Sequence, residues 1–199
     1  MDKLLTLFGS LDLDDDLAEM VTNFLDCAEQ RARLVGQTPT DGDGPSPQRR
    51  VVIVDDEVVS EGALEGESLW TAVLEILFEK DGFRFSTCLP SELQQDLRQL
   101  QDKDLVLMDI DFSQDSNYDG ASPEFGGREL LDEVHERLPH LPVVMMSSYD
   151  ESGLYEECMS RGAYDYLTKD WGSYAKFRTH ESEEAWFRRW QDAVEVPLK

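Results

Sequence analysis

Five short apolar runs constrain this chain more than any other feature. They are Val51-Val52-Ile53-Val54, residues 83–89, Leu105-Val106-Leu107-Met108, residues 142–146 and residues 164–167. Their length and their β-branched and aromatic content read as strands, the apolar ones buried on both faces. Between them, apolar residues recur at three- and four-residue steps, the period of a helix with one buried face. One helix is expected over 58–80, with Leu64, Leu69, Val73, Leu74 and Leu77 on its apolar face. Another is expected over 91–101, where Ser91 can cap it. A third carries Leu130, Leu131, Val134 and Leu138 and ends near Pro139, and a fourth, 151–161, is stopped by Gly162. A last helix, capped by Ser182, carries Ala185, Trp186, Trp190 and Val194. Strands alternating with helices give an α/β fold, a doubly wound five-stranded parallel sheet. In such a sheet, ligands sit outside the carboxyl ends of the strands.

Three segments are expected along the chain. Residues 1–35 form a helical extension, in which Asp14, Asp15 and Asp16 start a helix with an apolar stripe from Leu17 to Val35. Residues 36–48, GQTPTDGDGPSPQ, read as a linker. The main domain occupies 49–199. The stripe on 1–35 has to pack on something: the main domain, a second copy or a partner. With 43 acidic and 18 basic residues the formal net charge is −25, which argues against nucleic acid and anionic membrane as partners. The apolar runs are far short of a membrane span, and the start lacks the pattern of a signal peptide. Cys27, Cys88 and Cys158 show neither a zinc nor a disulfide spacing, so reduced thiols in a cytoplasmic protein are expected.

The strand ends hold the chemistry. The first strand ends in Asp55-Asp56, the third in Asp109 and the fourth in Ser147-Ser148, while Lys169 follows the fifth. Crowded carboxylates repel and resist ionising, and a divalent cation with hard oxygen ligands, such as Mg²⁺, resolves that conflict. Singly, each of these residues is an ordinary strand-end or turn residue; together they converge on one sheet edge. Met108-Asp109-Ile110-Asp111-Phe112-Ser113 comes close to the Asp-x-Asp motif of haloacid dehalogenase-like phosphatases. In that family, however, the nucleophile lies on the first strand and the acidic pair comes late.

The order Asp-Asp, Asp, Ser, Lys instead resembles response-regulator receiver domains. VVIVDDE (51–57) is similar to that family's first strand and acid pair, and DLVLMDI (104–110) to its phosphoacceptor strand. GGRELLDEVHERLPHLPVVMMSSYDE (126–151) and RGAYDYLTKD (161–170) resemble its later segments. The resemblance implies a flavodoxin-like sheet in the order 2-1-3-4-5, with no recognisable effector domain. It implies that Asp109 accepts a phosphoryl group from a histidine kinase or a histidine phosphotransfer protein, an autocatalytic step rather than classical enzymology. Asp55, Asp56, Asp109 and the backbone carbonyl of Asp111 would hold Mg²⁺. Lys169 would neutralise the phosphoryl group, Ser147 would bond it afterwards, and Tyr166 would follow inward as the switch aromatic. The output would be contact with a downstream protein target through the fourth helix, fifth strand and fifth helix.

Several residues depart from the family pattern. The loop at 112–126 is longer than usual, and Ser113 stands where Pro is usual. It is either a lid or partner contact, or an inert surface insertion. Asp170 replaces the Pro that usually follows the lysine, and a cis Lys169–Asp170 bond would cost about 2.5–4 kcal/mol. These changes support a rival reading, a pseudo-receiver that binds proteins independently of phosphorylation. Trp186, Phe187 and Trp190 are either interface anchors or core. A homodimer is expected through either the N-terminal helix or the output face, and Asp111 and Tyr149 sit where the family tunes phosphoryl lifetime.

Overall fold

The computed structural model describes residues 49–57, 74, 82–148, 152–169, 189, 192–194 and 197. The expected units 1–35 and 36–48, most of the helix at 58–80, Tyr149, the Lys169–Asp170 bond, Trp186, Phe187 and Trp190 lie outside the described residues.

Five parallel strands form one sheet in the order β2-β1-β3-β4-β5. They are β1 (Arg49–Val54), β2 (Phe83–Cys88), β3 (Leu105–Asp109), β4 (Val143–Ser147) and β5 (Asp165–Thr168). The described helices are α1 (Pro90–Gln95), α2 (Gly126–Arg137) and α3 (Ser152–Ser160), with 3-10 turns at Leu97–Leu100 and Pro123–Phe125. Arg189 and residues 192–194 are also helical, in the stretch where a last helix is expected.

Alternate residues of a strand face opposite sides, so every central strand here buries both. Val52, Val54, Val106, Met108, Val143 and Met145 share one core with Leu93, Leu97 and Leu100, with Leu130, Leu131 and Val134 of α2, and with Leu154 and Cys158 of α3. Val51, Ile53, Leu105, Leu107, Val144 and Met146 are buried on the opposite face. The free thiols of Cys88 and Cys158 are buried, and desolvation pushes each up to about 11, out of the reactive range.

The helix expected over 91–101 is divided. Asp96 leaves the helical region (φ −148°, ψ 89°), and its carboxylate caps the following 3-10 turn by accepting the Arg98 amide. Nor does Ser91 cap α1. Leu89 holds the N-cap position and Pro90 starts the helix. The Ser91 amide is instead taken by a carboxylate from the distant loop, that of Asp115. Elsewhere the predicted strands differ from the observed ones by one or two residues.

Register brings the strand ends together. Val54 pairs with Met108, Asp109 with Met146, and Ser147 with Thr168. Asp55 and Asp109 therefore lie one step past the first pair, Ser147 one step past the second and Lys169 one step past the third, all along one edge. Gly127 lets α2 start against that edge. A Cβ there would overlap the Asp109 carbonyl oxygen, while its own amide donates to the Ile110 carbonyl at 3.0 Å.

Candidate phosphoacceptor and cation site

Lys169 is 5 % exposed, and its Nζ donates to Asp109 Oδ2 at 2.6 Å and to Asp55 Oδ2 at 3.1 Å. Its backbone amide donates to the Ser147 carbonyl at 2.6 Å, which ties β5 to β4 where the lysine turns inward. Asp55 Oδ1 accepts the Glu57 amide at 3.0 Å, and Asp109 Oδ1 accepts the Ile110 amide at 2.7 Å. Asp56 Oδ2 accepts two amides, from Gln114 at 2.6 Å and Asp115 at 3.2 Å.

The carboxylates of Asp55, Asp56 and Asp109 each offer one oxygen within 4.8 Å of the others. Together with the ammonium they leave a formal charge of −2, which a divalent cation would cancel. Burial is the main force on Asp109 and pushes it up to about 7; the Asp55 charge adds to this and Lys169 opposes it. Burial would lower Lys169, but Asp55 and Asp109 outweigh it and hold the ammonium charged. The two shifts do not mirror each other because the lysine has two anions near it, while Asp109 has one cation and one repelling neighbour. Burial also raises Asp56, with the charges of Asp55 and Asp111 adding to it, against the two amide hydrogen bonds. Among the described residues, Asp56 Oδ1 accepts no hydrogen bond. A buried, oxygen-only donor set with excess negative charge and an uncommitted oxygen fits Mg²⁺.

Asp55, Asp56, Asp109 and Lys169 thus meet as expected, and Ser147 is buried at the end of β4. Asp111 is close enough to raise Asp56, and its carbonyl accepts no hydrogen bond among the described residues. Tyr166 is buried and packs edge-on against Tyr155, with ring centroids 6.1 Å apart. Sequence reasoning missed Gln114, Asp115 and Tyr118. The available signal was two aromatics, Phe112 and Tyr118, inside an otherwise polar loop. They meet edge to face at 5.1 Å in the core. The loop is thus folded into the site rather than laid over the surface.

Comparison with known proteins gives the family. The family model of the response regulator receiver domain matches residues 51–176, more than half of the chain. The two-component response regulator-like protein APRR3 of Arabidopsis thaliana is 33% identical over 90 residues, covering 44% of this chain and 15% of the relative. The transcriptional regulatory protein YdfI of Bacillus subtilis (strain 168) is 28% identical over 137 residues, 67% of this chain and 54% of the relative. The chain thus spans less than two thirds of the length of these curated relatives. A receiver-domain crystal structure from Clostridium thermocellum shares the fold, with a TM-score of 0.50 and 19% identity over 75% of this chain and 94% of that one. The chain belongs to the response-regulator receiver domain family. Among the described residues, no helix is long and apolar enough to cross a membrane.

Proposed function

We propose that this chain is a phosphoacceptor switch of two-component signalling. Asp109 takes a phosphoryl group from a histidine kinase or histidine phosphotransfer protein, as one step of a phosphorelay. The observation that carries this reading is the Lys169 ammonium bridging Asp55 and Asp109 with Asp56 beside them. Asp55, Asp56, Asp109 and the Asp111 carbonyl would hold Mg²⁺, whose charge when bound offsets that of the phosphoryl oxygens. An oxygen of the Asp109 carboxylate attacks phosphorus. The P–N bond to the donor imidazole breaks, its electron pair leaves with the nitrogen, and an aspartyl phosphate forms. Lys169 exchanges its bond to Asp109 for one to the transferred group, and the Ser147 hydroxyl takes another phosphoryl oxygen.

The output is a protein surface. Tyr166 touches Tyr155, which is 46% exposed on α3, so a change at Tyr166 reaches solvent by way of one neighbour. A downstream protein target would read α3, β5 and the C-terminal helix. A cytoplasmic setting, the receiver unit at 49–199, the extension at 1–35 on its linker at 36–48, and a homodimer through the extension or the output face belong to this same reading. Fluorine NMR of beryllofluoride, a phosphoryl mimic, tests the site in the presence of Mg²⁺. Bound fluoride resonances are expected with the wild type and none with Asp109→Asn; bound resonances in both would remove Asp109 from the acceptor role.

A further inference from the structure

The loop between β3 and α2 is tied down at three places. Asp115 is buried: its Oδ2 accepts the Ser91 amide at 2.8 Å and its Oδ1 accepts the Asn117 amide at 3.0 Å. The Gln94 side chain pairs with the backbone of Asp119, donating from Nε2 at 3.2 Å and accepting at Oε1 at 3.1 Å. Tyr118 is buried, packs on Phe112, and donates its hydroxyl hydrogen to the Gly126 carbonyl at 3.1 Å. Gly120 and Gly126 both border the Tyr118 ring so closely that a Cβ at either would overlap it. At the first of these ties, the Gln114 and Asp115 amides converge on one oxygen of Asp56, and the Asp115 amide also reaches the Phe112 carbonyl at 3.2 Å.

We propose that residues 113–119 form a fixed strap whose Gln114 and Asp115 amides aim the Asp56 carboxylate, and that Asp115 is the positioning residue that holds the strap in place. Asp115 does this from outside the carboxylate cluster. One of its carboxylate oxygens grips the start of α1, and the other accepts the Asn117 amide and fixes the turn that directly follows the two amides. With Asp56 Oδ2 committed to the strap, Oδ1 is the oxygen left for a cation, so a cation meets a carboxylate already oriented. The strap therefore couples the start of α1 to the cation site.

This inference rests on reading the carboxylates as a Mg²⁺ site, and two measurements on the full chain separate it from that reading. Calorimetric titration with Mg²⁺ is expected to show affinity weakened at least fivefold in Asp115→Ala, in a protein that still melts cooperatively. Asp115→Asn, which retains one acceptor oxygen for the Ser91 amide, should recover part of the loss. A folded Asp115→Ala variant with wild-type Mg²⁺ affinity overturns the proposal. Metal-free amide exchange, resolved by NMR, gives the second measurement. The Gln114 amide should be protected in the wild type and exchange faster in Asp56→Ala, while the Asp115 amide, which also donates to the Phe112 carbonyl at 3.2 Å, should change less. Equal protection in the two proteins overturns the strap. If the wild type takes up no Mg²⁺, the cation reading fails, while the exchange result still decides the strap. If Asp115→Ala does not fold, exchange decides it alone.

Discussion

At Lys169 two carboxylates compete for one ammonium. The shorter bond, 2.6 Å, goes to Asp109 and the longer, 3.1 Å, to Asp55. In a buried site the removal of a partner matters more than the pair's net worth, because the charge left behind stays desolvated. Lys169→Met leaves Asp55 and Asp109 facing each other with no cation. In EDTA, urea denaturation should show a loss of about 3–5 kcal/mol, the range for breaking a buried pair. Mg²⁺ should restore part of this in the variant. Equal stability of the two proteins in EDTA would mean that the lysine is not what holds the carboxylates together. Asp109 and Lys169 were legible because strand ends can be read from apolar runs, and the family order then assigned them. Asp115 was not, since its partner, the Ser91 amide, is a backbone group 24 residues away. No residue-type pattern encodes a side chain seeking a remote amide.

Helices α2 and α3 are joined by a network of ions. Arg128 and Arg161 both meet Glu157, and Arg161 also meets Asp132. Arg128 further stacks over the Phe125 ring at 4.1 Å. Burial works to raise Glu157, but hydrogen bonds from Arg161 and the Arg128 charge outweigh it and hold the carboxyl below its ordinary 4.5. A depressed carboxyl contributes stability above its unfolded value and loses it as pH falls through the folded value. The melting difference between wild type and Glu157→Gln should thus be full above pH 4.5 and shrink steadily as the pH falls below it. A difference that stays constant to pH 3 would contradict the pairing. At this scale the strand positions were readable to within two residues. The division of the expected 91–101 helix was not, because Leu93, Leu97 and Leu100 keep helical spacing straight across Asp96, whose N-cap chemistry breaks the helix. The packing of the loop at 112–126, expected to be a lid or partner contact or an inert surface insertion, was not legible either, since polar composition hid the contact between Phe112 and Tyr118.

Over the whole molecule, a sheet buried on both faces has to withstand a formal charge of −25. Like charges on the surface oppose compaction, and salt screens them. Raising NaCl from 0.1 to 1 M shortens the screening length from about 10 Å to about 3 Å. The thermal midpoint at pH 7 should therefore rise over that range, and a flat or falling midpoint would show that surface repulsion is not a significant load. The same acidity concentrates at the carboxyl edge, where three buried carboxylates cluster and two of them bind one lysine. The proposed function is phosphoryl transfer onto Asp109 at this edge. Its most direct test is the intact mass of the full chain after incubation with Mg²⁺ and acetyl phosphate. The wild type should gain about 80 Da, one phosphoryl group, and Asp109→Asn should gain nothing. No gain in a folded wild type, or the same gain in both proteins, would contradict it.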